Sequence, residues 1–486
     1  MKTFNLTLTA LVATLVLAGC STAKPPDQVK LDLPTQYREK SEQLDGAWKV
    51  AAPADKKDRG AWWMVYDDND LGNLIVEATT SNPNLAMALS RVKDARATAG
   101  VVDADRGVQV DVDVGVGPTC VGNAQTTSTT YRAPLSFSYE VDLFGHLSDS
   151  SRAARMDAEG QEAAYRSVLL ALQSDVAQLY FTIRSLDSEI EVLQKTISLR
   201  QEGLDLAQRR FDAGDTSELD VAQAKTEWAI TSAELEGVNR ERARSDHALA
   251  ILLGKAPAEF TLVVAPFNAP IVTVPAGLPS DLLERRPDIA QAQRQLAASS
   301  ARIGAAKAAF FPKLLLTGSA GYESNELRDL FKWSSRSWML GPVVGTMLSM
   351  PLFDGGRNKS NLARADANYE GMVANYRQQV LVGFRDVDDN LSVLRTLDRQ
   401  MVFEEQAIKS AQLAARLADS RYRNGSASYF EVIDAQRSNL SSQRSRVRSA
   451  GQRAVASVGL IRALGGGWES PAQAAQKDVP TLAQQQ

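Results

Sequence analysis

The sequence of 486 residues repeats itself once, over a very long period. Arg210-Phe211-Asp212-Ala213-Gly214 opens a segment that closes at Leu253-Gly254, and Arg421-Tyr422-Arg423-Asn424-Gly425 opens one that closes at Leu464-Gly465. The two run in step without a gap. Gly214 aligns with Gly425, Ser217 with Ser428, Leu219 with Phe430 and Ala224 with Ala435, a constant offset of 211 residues. Asn82-Pro83-Asn84-Leu85 aligns with Arg286-Pro287-Asp288-Ile289 at an offset of 204. A solenoid repeats every 20–50 residues or so, so this is a duplicated large unit. Two copies of one architecture suit a symmetric object such as a ring or tube.

Each copy has the same internal order. In the first, Val108, Val110, Val112, Val114 and Val116 alternate with Gln109, Asp111, Asp113, Gly115 and Gly117; Leu135, Phe137, Tyr139, Val141 and Leu143 alternate with Ser136, Ser138, Glu140 and Asp142. A period of two with one apolar and one polar face predicts strands of about ten residues. The polar stretch Pro118 to Thr130 between them reads as a loop. In the second copy, 313–322 and 338–352 are the strand candidates around the loop 323–337, with Pro342 weakening the last one. A long proline-free helical stretch follows each strand pair, about 146–212 and about 356–423. Such a helix would be about 100 Å long, which calls for a coiled coil. Its seam is rich in Ala and Ser, small enough for close approach.

Each long helix then meets a turn. Gly214 and Gly425 suit the left-handed position just past a helix end. Ser217 and Ser428 follow as N-caps, with Asp220 and Glu431 placed to complete capping boxes. Return helices run from about 217 to 253 and from about 428 to 464.

Four strands cannot close a barrel, and lipid satisfies no edge hydrogen bonds. A spanning role therefore requires self-association: two copies give an eight-stranded barrel filled by side chains, three a twelve-stranded one with a lumen. Gln109, Asp111, Asp113, Glu140 and Asp142 would line that lumen, and Tyr131, Tyr139, Phe144 and Trp338 would form the aromatic girdle. Two soluble hairpins with solvated faces are the competing reading.

The N-terminus carries Lys2, an apolar run from Phe4 to Leu17, and Leu17-Ala18-Gly19-Cys20. The run is too short for an ordinary membrane span and reads as a signal peptide over 1–19. The last four residues resemble the bacterial lipoprotein cleavage box, which implies a covalent lipid on Cys20 and, with Ser21 following, the outer membrane. Only Cys120 would then stay free, so stability rests on packing without an intrachain disulfide. Net charge is −4, so no basic surface argues for nucleic acid.

Taken together, Cys20, Trp62-Trp63, the run Tyr139 to Gly145, the run Val274 to Ile289 with its Arg285-Arg286-Pro287-Asp288, the run Ile303 to Pro312, the run Pro351 to Arg357, and Ala463 to Trp468 resemble the outer-membrane efflux lipoproteins of the TolC superfamily, near the OprM/NodT branch. The resemblance covers almost the whole chain. One departure is Arg106-Gly107, where the second copy has Phe311-Pro312, so the first strand is expected to enter the barrel differently.

The resemblance implies a mainly α protein with a transmembrane β-barrel: a homotrimer with a twelve-stranded barrel above a periplasmic helical tube. It would be the exit duct of a Gram-negative efflux system, serving a periplasmic adaptor and an inner-membrane pump of the resistance-nodulation-division type. The division expected is a signal peptide (1–19), a lipidated tether (20–61), a first repeat (62–255), a linker (256–278), a second repeat (279–467) and a tail (468–486). Gly214, Asp215, Ser217, Gly425 and Ser428 would be adaptor-contacting tips.

Phe430 and Asp434, four residues apart, share one helix face. By resemblance that face points inward at the closed end, with Arg437 pairing Asp434, Tyr422 a latch across the hairpin, and Glu431 a weaker gate candidate already explained by its capping role. No cofactor beyond the lipid and no metal site is expected. Two isolated histidines, His146 and His247, with no nucleophile elbow or phosphate loop, argue against an enzyme. A structural coiled-coil lipoprotein would explain the helices but leave the strands idle. Cargo stays open between drugs, metal ions and secreted peptides, with the lack of Met or His clusters favouring organic compounds.

Overall fold

The computed structural model describes residues 60–120, 127–267, 285–340 and 346–466. Cys20, the signal sequence, nearly all of the tether and the C-terminal tail lie outside the described residues. The described residues fall into two compact units, one within 89–163 and 291–379, the other within 60–88, 164–290 and 380–466.

The first unit holds the sheet. β1 (Gln109–Val112) and β2 (Gly115–Cys120) both pair antiparallel with β3 (Thr127–Val141). β3 pairs with β4 (Lys313–Ser324), and β4 with both β5 (Arg336–Leu340) and β6 (Thr346–Ser349). The order is thus first strand, second, third, fourth, with the first in two pieces, β1 and β2, and the fourth described as β5 and β6 on either side of 341–345, which lie outside the described residues. The break at Asp113 has a visible cause. Asp113 N–H donates to Pro134 O at 3.1 Å, but proline has no N–H to return, so the ladder lapses there. Gly321 stands opposite Pro134 on the other side, and a Cβ on it would lie 2.3 Å from Ala133 O. The sheet tolerates the proline only where its neighbour has no side chain. The predicted loop 118–130 is shorter than expected, because Pro118, Thr119 and Cys120 pair with Thr129, Ser128 and Thr127.

Register places Val110, Val112 and Val116 opposite Phe137, Leu135 and Tyr131, and Tyr139 and Val141 opposite Leu316 and Leu314. One face is therefore a continuous apolar row, and its valines are exposed in the chain. The other face carries Asp111, Asp113, Ser136, Ser138, Glu140, Lys313 and Thr317. Around the sheet stand parts of α2 (Pro83–Ala104), α3 (His146–Asp212), α5 (Pro287–Ala308) and α6 (Arg357–Arg423). No helix among the described residues is long and apolar enough to cross a membrane.

The second unit holds α1 (Asn69–Ser81), α4 (Glu218–Leu252), α7 (Tyr429–Ala463) and the distal parts of α3 and α6. Its core gathers Trp62, Tyr66, Leu71 and Ile75 against Val176, Tyr180, Phe181, Leu249, Leu253 and Ile461. The duplication shows in the joints. Asn82 Nδ2 donates to Leu252 O at 2.8 Å, and Arg286 Nη1 donates to Ala463 O at 3.1 Å, so each residue before the aligned proline ties off its own return helix. The seams are as close as their small residues allow: a Cβ on Gly451 would lie 2.4 Å from Ser185 Oγ.

Candidate functional site

Two tips close the helical hairpins. At the first, Asp215 N–H reaches Arg210 O at 2.8 Å and Gly214 N–H reaches Phe211 O at 2.9 Å, with Gly214 at φ +81°. At the second, Ser426 reaches Arg421 O and Gly425 reaches Tyr422 O, both at 2.9 Å, with Gly425 at φ +72°. Both are Schellman ends, which need a residue that accepts positive φ. Space is free around Gly425, so only backbone strain opposes a side chain there. Gly425→Val should cost about 1 kcal/mol or more at this tip. Hydrogen exchange at the Ser426 amide should then quicken about five-fold, and unchanged protection would show that the strain is not held at this φ.

The caps differ between copies. Glu431 accepts from Ser428 N–H at 3.4 Å and pairs with Arg421 at 3.2 Å, so its carboxylate is used within its own tip. At the first tip the Ser217 side chain makes no cap bond, and Asp220 instead accepts from the Thr216 hydroxyl. The weaker capping box expected there gives way to the nearer hydroxyl.

Tyr422 is buried, with its ring 5.2 Å from that of Tyr429 and packed among Ala207, Ala224, Val432 and Ile433. Burial pushes the Tyr429 phenol up to about 12. The Arg210 guanidinium lies over the Tyr422 ring at 4.7 Å and donates to Tyr422 O and Arg423 O at 3.0 and 2.9 Å. A first-copy arginine thus caps the second-copy helix and joins the two tips. Sequence reasoning missed this, since the aligned Arg421 stays within its own tip, donating to Ser426 O at 3.1 Å and pairing with Glu431.

Phe430 is 60% exposed, and Asp434 and Arg437 are exposed on the same side of α7. Arg437 does not pair with Asp434 as expected. It reaches Glu227 on α4 through two nitrogens, Nε at 3.1 Å and Nη2 closer. Glu227 is buried and also meets Arg200 at 3.0 Å. A carboxylate away from water attracts a guanidinium more strongly than the solvated Asp434 can. The hydrogen bond to Glu227 holds the Arg437 guanidinium above its usual range, whereas burial lowers that of Arg200. Seven residues on, Arg444 pairs with Glu234 at 2.7 Å, so α4 and α7 run parallel with charges matched at the heptad spacing.

The polar face of the sheet carries the other predicted residues. Asp111 and Asp113 are exposed, Ser136 Oγ donates to Asp113 at 3.3 Å, and Glu140 pairs with Lys313 at 3.4 Å. Asp142, expected on this face as well, has a capping role instead of a place in the strand. It lies past the end of β3, and its carboxylate accepts from the Leu147 and Ser148 N–H groups at 3.2 and 2.7 Å, capping α3. Asp354 serves α6 in the same way, accepting from Gly356 and Asn358. His146 Nδ1 lies 3.0 Å from Ala305 O, an ordinary structural contact. Among the described residues no group of three or more His, Cys, Asp or Glu could hold a metal ion.

The profile of the family described as Outer membrane efflux protein matches residues 74–255 and 278–466, one match for each copy of the duplicated unit. The chain belongs to this family. As an outer membrane efflux protein it is 33% identical over 461 residues to the cation efflux system protein CusC of Escherichia coli O6:H1, covering 94% of this chain and 97% of that one. It is 34% identical over 477 residues to the toluene efflux pump outer membrane protein TtgI of Pseudomonas putida, covering 94% and 97%. The solved outer-membrane channel OprN superposes with a TM-score of 0.80 at 28% identity, covering 89% of this chain and all of that one. A channel wall in an outer membrane needs one apolar and one polar face, and the sheet of this outer membrane efflux protein has both.

Proposed function

We propose that three copies of this chain form the exit duct of a tripartite efflux system, taking cargo from an inner-membrane pump of the resistance-nodulation-division type through a periplasmic adaptor. The observation that carries this reading is the four-stranded sheet with one apolar and one polar face, which closes in lipid only by association. The duct is passive, and the chain has no catalytic role. The tips at Gly214, Asp215, Ser217, Gly425 and Ser428 meet the adaptor. Phe430 and Asp434, uncovered within their own chain, line the constriction, where Arg437 is held in place by Glu227.

The cargo is small organic compounds. The polar row offers carboxylates, hydroxyls and amines, hard groups that suit many organic cations and lack the softness that selects a thiophilic metal. The likeness to CusC keeps metal ions as the second reading. Voltage-clamped planar bilayers test the duct directly: the purified protein should conduct in discrete steps. Bilayers that hold the protein but stay silent, even with Phe430 and Asp434 removed, would leave a structural lipoprotein as the better account.

Cys20 carries the lipid anchor in this reading. Cys20→Ala should abolish incorporation of radioactive palmitate while leaving the strands able to insert. Equal label on both proteins would remove the anchor.

A further inference from the structure

The connection between β4 and β5 is the part of the sheet farthest from the helices, since α5 leads into β4 and α6 follows β6. It is a built loop. Ser335 Oγ donates to Asp329 O at 2.7 Å, Lys332 pairs with Asp329 at 2.6 Å, and Thr130 Oγ1 donates to Asn325 at 3.4 Å. Yet this fixed scaffold displays Leu327, Phe331 and Trp333 at 63%, 72% and 77% exposure. Holding three large apolar groups in water is unfavourable unless an apolar phase receives them.

The geometry says which side they face. Tyr322 lies in the apolar row of β4, two residues apart from Ala320 and in step with Leu316 and Leu314. The Phe331 ring meets the Tyr322 ring edge-on at 5.5 Å. Arg336 stands directly opposite Tyr322 in the register, so it shares that face, and its guanidinium lies over the Trp333 ring while Nε donates to Trp333 O at 2.8 Å. On the other face at the same level, Arg132 and Glu323 pair at 3.2 Å. The loop is therefore folded toward the lipid side of the sheet.

We propose that this loop is a membrane anchor: Phe331 and Trp333 sit at the boundary between acyl chains and headgroups of the outer leaflet, and Arg336 reaches the lipid phosphates. Aromatic rings with a polar edge settle at that depth, and arginine extends its charged end toward the headgroups. The surface is continuous with the lipid-facing row, which identifies lipid as its occupant. The inference rests on the barrel reading above.

The test uses wild type and Trp333→Ser in phosphatidylcholine vesicles, with and without bromine atoms near the top of the acyl chains. The emission lost on substitution is the Trp333 signal. In wild type that signal should fall by about half with brominated lipid and respond little to iodide on both sides of the membrane. Quenching by iodide alone would place the loop in water. Resistance to both quenchers would place it against a neighbouring chain. Either result overturns the anchor while leaving the barrel intact, as conductance of the same vesicles would show. Failure of both proteins to enter the bilayer would sink the barrel reading and the anchor together.

Discussion

Replacing Phe430 and Asp434 together with alanine is expected to raise single-channel conductance several-fold and to sensitise cells to vancomycin, which is too large for ordinary porins. Phe430 is exposed on α7 immediately past the second tip, and Asp434 lies one turn on along the same face. In the proposed trimer, three phenyl rings on the axis would form an apolar constriction that gates by excluding water. Three carboxylates crowded on the same axis would attract cations. The single changes should separate these effects. Phe430→Ala should widen the pore with little change in ion preference, whereas Asp434→Ala should weaken cation preference with a smaller rise in conductance. A double variant that conducts like wild type would remove both residues from the gate.

Arg286→Ala should be the most destabilising single substitution at the joints of the duplicated unit, by about 1.5–3 kcal/mol, because it removes charge-assisted hydrogen bonds to the half-buried Asp288 and Asp386 and the donor to Ala463 O. The Arg286 side chain is 9% exposed and serves three groups. It forks onto both oxygens of Asp288 at 3.1 and 2.7 Å, reaches Asp386 at 3.1 Å, and donates to Ala463 O. These contacts join the start of α5, the middle of α6 and the last turn of α7. Burial alone lowers the arginine pKa, but Asp288 and Asp386 more than offset it, so the side chain stays charged. Lysine would restore the charge without the planar fork and should recover only part of the loss. Asn82→Ala, the matching change in the first copy, removes one neutral hydrogen bond and one cap and should cost roughly 0.5–2 kcal/mol. Thermal unfolding followed by helix content measures the pair, and equal losses at the two sites would refute the charged clamp.

The long helices and their turns were legible because their signals are local. A proline-free run ended by Gly214 or Gly425 needs no partner to be read, and the described helices run His146–Asp212 and Arg357–Arg423. Four strands could be counted from alternation, since one apolar and one polar face impose a period of two. Their interruptions could not, because the break at Asp113 depends on which residue stands opposite, and Pro134 is 21 positions away. The capping role of Asp142 was hidden for a related reason. Alternation carries on past the strand end, while the chain has already turned to cap α3. Arg437 went to Glu227 instead of Asp434 because burial 210 positions away outweighs proximity along the helix, and no spacing rule within one helix reveals it. Arg210 was invisible on the same ground, since its role lies in the carbonyls of the other tip.

In the proposed trimer this sheet is one third of a barrel. The chain mass of the protein extracted from outer membranes in mild detergent tests it most directly, by light scattering with the detergent contribution subtracted. About three chains per particle are expected, because three four-stranded sheets close into a twelve-stranded barrel with a lumen. A stable single-chain particle with its full strand content would contradict it.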